Sequence, residues 1–374
     1  MSVSIRLVEG AKDLHTFIHL PARIHAGYAN WMPPLYSDQK AFFDPAKNKS
    51  FSYCDTVLFL AYKNGKPQGR IMGIVHHPYN TEHGEKTVRF AHLDCFEDYD
   101  VCRALLDAVE HWGREKGMKR VIGPFGFSGR EPQGLLVEGF DKPPIMVTAC
   151  NQPYLPRFVE KHGYGKMTDC MDYLIDIHRD IPEIYPKIWE RVQRNTQFRL
   201  VEFGKTREMK PYIVPIFELI NRTYADLQGF SPLDEQEMRE TAARYLPILD
   251  PRFLKVVVDE AGHVVAFMLG IPNMTKGIQR AKGKLLPFGF LHILHAARNA
   301  RQLDLLLGGI DAPHRGRGLD ILMGWKMVES ARNAGILTFE TNLVLETNTA
   351  MRAEYERLGA QLYKVFRIFQ KELS

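Results

Sequence analysis

Four residues, Arg315-Gly316-Arg317-Gly318, bring two guanidinium groups together with two glycines that let a ligand come close to the backbone. The apolar run before them, Leu303 to Ile310, has strand character, Ala312-Pro313 ends it, and an amphipathic segment starts at Leu319. This is a strand, a turn and a helix N-terminus, where unpaired N–H groups and the positive end of the dipole favour an anion by about 0.3–2 kcal/mol. Phosphate or pyrophosphate suits such a corner. The turn lacks the Gly-Lys-Ser/Thr ending of a P-loop and the Gly-x-Gly-x-x-Gly of a dinucleotide fold.

Downstream, Leu337 to Leu345 reads as a second strand, and Asn348 to Leu358 as a helix closed by Gly359. The first motif, Arg315-Gly316-Arg317-Gly318-Leu319-Asp320, resembles the acyl-CoA pyrophosphate loop of the GNAT N-acetyltransferase superfamily, Arg/Gln-x-x-Gly-x-Gly/Ala. Asp320 departs from it, standing where that family has a small residue. The family's second acyl-CoA motif has an Asn, a Tyr seven residues later, then Glu-Lys/Arg-Leu-Gly, and Asn348, Tyr355, Glu356, Arg357, Leu358 and Gly359 match it in register. The resemblance implies acyl-CoA as co-substrate, held by Gly309, Ile310, Asp311, Arg315 to Leu319, Asn348 and Tyr355.

Aminolysis of a thioester needs a neutral amine, donors for the carbonyl oxygen and a proton for the departing thiolate. Backbone N–H groups at Gly309 to Asp311 could face the carbonyl. Tyr355 matches the position where the superfamily often keeps its general acid, and a phenol of pKa about 10 can protonate a thiolate. A half-buried structural tyrosine is the alternative. Glu346, just before Asn348, is the favoured base, with Glu340 and Asp304 on the neighbouring strands behind it, because burial can raise a carboxylate toward working pH.

These residues need elements to position them, and the chain supplies a similar set twice. Strand, helices and a hairpin turning at Asn64-Gly65 open the first half, and a hairpin containing Gly262 stands 197 residues later. Asn151 and Asn348 are also 197 residues apart. The expected fold is α/β with α+β layering: two tandem GNAT-like domains, each a twisted mixed sheet flanked by helices. Residues 1–175 would be a degenerate first copy, 176–186 a linker and 187–374 the copy with the acyl-CoA site. In the first copy Phe96-Glu-Asp-Tyr-Asp100 stands where the phosphate loop would lie, acidic and without glycine, and Phe158 replaces the tyrosine. Two unrelated α/β domains remain the alternative.

Tyr224, Phe230 and the 227–231 turn lie where the superfamily commonly builds its acceptor pocket. The insertion at 275–301 sets Lys276, Arg280, Lys282, Lys284, Arg298 and Arg301 around the apolar Leu285 to Leu294. Such a segment can lie on an anionic bilayer or line a channel for an apolar substrate, with Phe288 and Phe290 as contacts, or it can pack on the sheet with solvated lysines. His292 and His295 lack a carboxylate or further histidine at helical spacing, so no metal is expected.

Trp31-Met-Pro-Pro-Leu35, Gly134 to Asp141, Glu340 to Asn348 and Leu358 to Ile368 resemble the bacterial tandem GNAT group that includes bacterial ceramide synthases. That resemblance implies transfer of a long acyl chain to a sphingoid-base amine. A small-amine or peptide acetyltransferase and a non-catalytic acyl-CoA sensor are the alternatives. A net charge of +5, spread along 374 residues without a recognised module, does not suggest a nucleic-acid partner. Five scattered cysteines and the absence of a signal peptide or membrane-length apolar run fit a cytoplasmic protein, able to touch the inner face of the membrane through 275–301.

Overall fold

A computed structural model describes residues 2–180, 182–194, 197–225, 229–230 and 232–373. The first half runs β1 (Ser4–Leu7), α1 (Gly10–His19), α2 (Pro21–Ile24), α3 (Tyr36–Phe42), β2 (Cys54–Lys63), β3 (Lys66–His76), α4 (His77–Glu82), β4 (Thr87–Cys95), α5 (Tyr99–Glu115), β5 (Arg120–Gly123), β6 (Leu135–Glu138), α6 (Tyr154–Lys161) and β7 (Gly165–Asp176). The second runs α7 (Ile184–Gln193), β8 (Phe198–Val201), α8 (Thr206–Thr223), α9 (Glu235–Tyr245), β9 (Leu254–Asp259), β10 (Val264–Pro272), α10 (Thr275–Ala281), α11 (Gly289–Arg298), β11 (Gln302–Ile310), α12 (Leu319–Asn333), β12 (Thr338–Glu340), β13 (Val344–Leu345), α13 (Thr349–Arg357) and β14 (Gln361–Glu372). Asn64 and Gly65 turn the β2–β3 hairpin at φ 57° and 72°, the backbone that an Asn-Gly pair adopts most readily.

All the strands join one mixed sheet, and the two halves meet in it by exchanging strands. Its order is β1-β2-β3-β4-β5-β14-β7-β12-β11-β10-β9-β8. The last strand of the chain, β14, lies against β5 and β6 of the first half. In return β7, which ends the first half, lies against β12 and β13 of the second. β7 and β14 also pair with each other along their length, from Gln361↔Leu174 to Gln370↔Gly165. Each half-sheet is therefore completed by a strand from the other, which leaves neither with an open central edge.

In each half a short parallel pairing opens into a splay. β4 and β5 pair only from Thr87↔Arg120 to Arg89↔Ile122, and β11 and β12 only from Gln302↔Thr338 to Asp304↔Glu340. The stretch read as one strand, Leu337 to Leu345, is two: at the break, Thr341 donates from N–H to the Tyr173 carbonyl and its hydroxyl accepts from the Tyr173 N–H, both at 2.9 Å. On one face of the second half α8 covers Val256, Val258 and Phe267, and on the other α7 and α12 cover Val257, Val265 and Ala266; β9 alternates between the faces, and β10 sets both Val265 and Ala266 on the second at a bulge.

Candidate active site

A strand, a turn and a helix N-terminus follow one another at Gln302–Ile310, Arg315 to Gly318 and Leu319–Asn333. Gly316 and Gly318 take φ of 72° and 80°, so the turn needs glycine at both. A Cβ on Gly318 would come within 2.7 Å of Val192, which ties the turn to α7, whereas the space around Gly316 is open. Leu319 is fully buried and anchors the start of α12, while Arg315 and Arg317 are exposed. The first hydrogen bond of the helix runs from the Leu322 N–H to the Gly318 carbonyl, so the N–H groups before it belong to the open turn. Asp320 sits exposed in the first turn, a carboxylate at the end that attracts anions.

Beyond Asp304, β11 leaves β12, and its free edge faces the cleft. The Asp311 N–H donates to the Val265 carbonyl at 2.8 Å, so by the alternation of an antiparallel ladder Gly309 and Asp311 face β10 while Gly308 and Ile310 face the splay. Of the three expected backbone donors, Ile310 is thus the one directed into the cleft. The Tyr224 hydroxyl donates to the Gly308 carbonyl at 2.9 Å, Asn342 Nδ2 donates to the Leu306 carbonyl at 2.9 Å, and Arg315 Nε donates to the Ile310 carbonyl at 3.2 Å.

Tyr355 stands half-buried on α13, its ring 5.4 Å from that of Tyr173 on the exchanged strand β7. Burial, with Tyr224, Asp172 and Tyr173 nearby, pushes its hydroxyl up to about 12. Asn348 caps the same helix, accepting from the Met351 N–H at 3.2 Å. Phe230 packs edge-on to Tyr224 with ring centroids 6.1 Å apart; Leu227, Gln228 and Ser231 of the expected acceptor turn lie outside the described residues.

Glu346 is elsewhere engaged. Its carboxylate accepts from Lys166 Nζ at 2.8 Å and from the Asp169 N–H at 3.1 Å, and the Lys166 contact holds it below the usual carboxylate range. That is the opposite of what a base for an ammonium needs. Glu340 and Asp304 instead belong to a buried cluster on one face of the sheet, together with Asp172 and Lys364, all four no more than 2% exposed. Lys364 Nζ bonds Glu340 Oε1 and lies 3.5 Å from Asp172 Oδ2. Gln302 Nε2 donates to Glu340 Oε2 at 2.7 Å and to Asp304 Oδ1 at 2.9 Å, and Asn273 Nδ2 donates to both Asp304 oxygens at 3.1 and 3.0 Å. Burial, with the repulsion of Glu340, pushes Asp304 up to about 7, the range of a working base. Asp172 and Lys364 escaped notice in the sequence; the available signal was a charged residue at an inward position of each apolar strand.

The matching places in the first half are filled by the chain itself. At the α5 N-terminus the Asp98 carboxylate accepts from the Asp100 N–H at 3.1 Å and pairs with Lys63, so a carboxylate of the chain stands where an anion would sit. The pair in register with Asp304 and Glu340 is Arg89 and Ile122. Arg89 is buried, donates to the Gly126 and Phe127 carbonyls and lies over the Phe125 ring.

The 275–301 insertion docks on the first half through Thr275 Oγ1 to the Pro144 carbonyl at 2.8 Å and Gln279 Nε2 to the Trp31 carbonyl at 2.9 Å. Its outer surface is apolar: Leu286, Phe288, Phe290, Leu291 and Leu294 are 78, 68, 42, 50 and 44% exposed. Lys276, Arg280, Lys282, Lys284 and Arg298 are exposed around it, with no ion-pair partner among the described residues.

No protein-family model matches the chain. Among curated proteins it is 32% identical over 384 residues to the bacterial ceramide synthase of Caulobacter vibrioides (strain NA1000 / CB15N), across 99% of this chain and 98% of that one. It is 26% identical over 376 residues to Protein YghO of Escherichia coli (strain K12), across 99% and 95% of the two chains. Among solved structures, a tandem GNAT protein from the clavulanic acid biosynthesis pathway superposes at TM-score 0.58 with 15% identity, over 100% of this chain and 99% of that one. A GCN5-related N-acetyltransferase from Sphaerobacter thermophilus superposes at 0.54 with 13% identity, over 99% and 96%. At such identities the structural likeness speaks for the fold.

Proposed function

The chain belongs to the family of the bacterial ceramide synthase and is an N-acyltransferase of tandem GNAT fold, and from that premise we propose that it transfers a long acyl chain from coenzyme A to the amine of a sphingoid-base-like lipid. The observation that carries the lipid reading is the exposed apolar surface of the insertion with its unpaired cations. α10 starts two residues after Asn273, whose amide holds Asp304, so this surface is rooted at the carboxylate cluster. Residues 275–301 would rest on the inner face of an anionic membrane while a lipid amine enters.

In this reading the Arg315–Leu319 corner holds the CoA pyrophosphate, the Ile310 N–H faces the thioester carbonyl, and residues 1–175 bind no CoA because Asp98 and Arg89 fill the matching places. Asp304 takes one proton from the acceptor ammonium, directly or through a water, and the free amine attacks. As the C–N bond forms and the C–S bond breaks, the Tyr355 hydroxyl gives its proton to the leaving sulfur and recovers one from the amide nitrogen. Glu346 is an ion-pair partner, not the base.

Mass spectrometry of the lipids formed from mixed acyl-CoAs and a panel of amines, sphingoid bases included, tests the reading. N-acylated sphingoid bases are expected. Exclusive acetyl transfer to polar amines would overturn the lipid assignment, and tight acyl-CoA binding with no transfer would favour a sensor.

A further inference from the structure

Of the four buried charged groups, strand exchange brings one from the other half, Asp172 on β7, and sets β7 between β12 and the Lys364 strand β14, whose other edge completes the first half. Three carboxylates around one ammonium cannot all ionise away from water without a large cost, so the cluster must retain protons. Which group holds them follows from the donors each receives. Glu340 accepts from the Lys364 ammonium and from Gln302, a charged donor and a neutral one. Asp304 accepts from Gln302 and Asn273, neutral donors only. Neither oxygen of Asp172, which is fully buried, has a hydrogen-bond partner among the described residues; the Lys364 ammonium stands 3.5 Å from its Oδ2, out of hydrogen-bond geometry and farther than from Glu340. Hydrogen bonds to the charged form favour ionisation, most of all from a charged donor.

We propose that Asp172 keeps a permanent proton, that Glu340 and Lys364 form a permanent ion pair, and that Asp304 alone titrates, so that the exchanged strands set the pH at which the base of the acyl transfer becomes active. The other titratable groups facing the cluster are Tyr355 on α13, Tyr363 on β14 and Cys150 in the loop before α6. Burial and the neighbouring Glu340 also push Asp172 well above the usual carboxylate range, which agrees with the ranking by donors. Asp172, Glu340 and Lys364 are positioning residues here. The inference rests on the acyltransferase reading with Asp304 as base.

The test is the pH dependence of kcat/KM in the full-length chain, with thiol release followed from a long-chain acyl-CoA and a sphingoid base. Glu340→Gln removes a negative neighbour of Asp304 and should move the acidic limb to lower pH by roughly one unit. Lys364→Met removes the positive neighbour and should move it to higher pH by a similar amount, roughly one unit. Asp172→Asn replaces a neutral group with a neutral one, so the limb should stay, while the infrared carbonyl band of a buried protonated carboxyl, present in the wild type above the limb, should vanish. Shifts of one sign in both charge variants, no shift in either, or an unchanged infrared band in Asp172→Asn would overturn the proposal. Should Lys364→Met fail to fold, the Glu340→Gln direction and the infrared band still decide. A wild-type chain that transfers no acyl group would instead refute the functional reading itself.

Discussion

The rings of Tyr173 and Tyr355 stand 5.4 Å apart, one carried out of the first half on β7 and the other on α13 of the second. The half-buried Tyr355 keeps its proton at neutral pH, since burial with Tyr224 and Asp172 nearby pushes it up to about 12. It is thus always a donor and never the source of a pH limb.

Tyr355→Phe should therefore lower kcat by about 100-fold, the usual scale of a general acid, and do so equally across the pH range. The KM for acyl-CoA should stay within a few-fold. Steady-state kinetics between pH 6 and 9, roughly the range of general acid–base work, checks this; an unchanged kcat would make Tyr355 a packing residue.

For the base, the sign follows from the charge that works. A carboxylate accepts a proton only when ionised, so activity should rise with pH through about 7, where burial and Glu340 place Asp304. Asp304→Asn should remove that limb along with most of the turnover. Glu346→Gln should leave it in place, because Lys166 already holds Glu346 ionised below this range. A limb that disappears in Glu346→Gln would return the base to that residue.

The contrast between these two carboxylates shows how far the sequence could be read. The turn at Arg315-Gly316-Arg317-Gly318 and the helix capped by Asn348 were legible because a glycine turn and a helix cap are local, built from residues adjacent in the chain. The partners of Glu346 and Glu340 are not local. Lys166 lies 180 residues from Glu346, and Lys364 reaches Glu340 across β7, the strand that comes from the first half. A period-two strand pattern tells which face a residue takes, yet it does not say which strand will lie beside it. β7 and β14 are alike in burial pattern, so either could complete either half-sheet.

At the turn proposed to hold the CoA pyrophosphate, two substitutions should act in opposite directions. Gly316→Glu places a side chain at positive φ and a negative charge beside the helix N-terminus, and should weaken acyl-CoA binding by roughly tenfold or more. Asp320→Asn removes the exposed carboxylate from the first turn of α12 and should tighten it by roughly 2- to 5-fold, the scale of one charge at a helix end. Isothermal titration of the full chain measures both. Undiminished binding in Gly316→Glu would move the CoA site away from this turn.

The insertion should separate lipid handling from CoA handling. Each buried methylene contributes about 0.8 kcal/mol and each cation near an anionic surface about 1 kcal/mol, so five exposed apolar side chains with five unpaired cations can hold the protein on a bilayer through two combined signals. Leu286→Ser with Phe288→Ser removes the two most exposed side chains and little packing, since both stand mostly free of the fold. This pair should reduce flotation with anionic vesicles and use of a sphingoid base, and leave acyl-CoA affinity unchanged. Lys282→Glu with Lys284→Glu should have the same effect on anionic vesicles and a smaller one on zwitterionic vesicles, and added salt should mimic it in the wild type. Equal loss of acyl-CoA binding in either pair would mean that the insertion shapes the donor site, and intact flotation in both would leave the lipid amine to enter by another route.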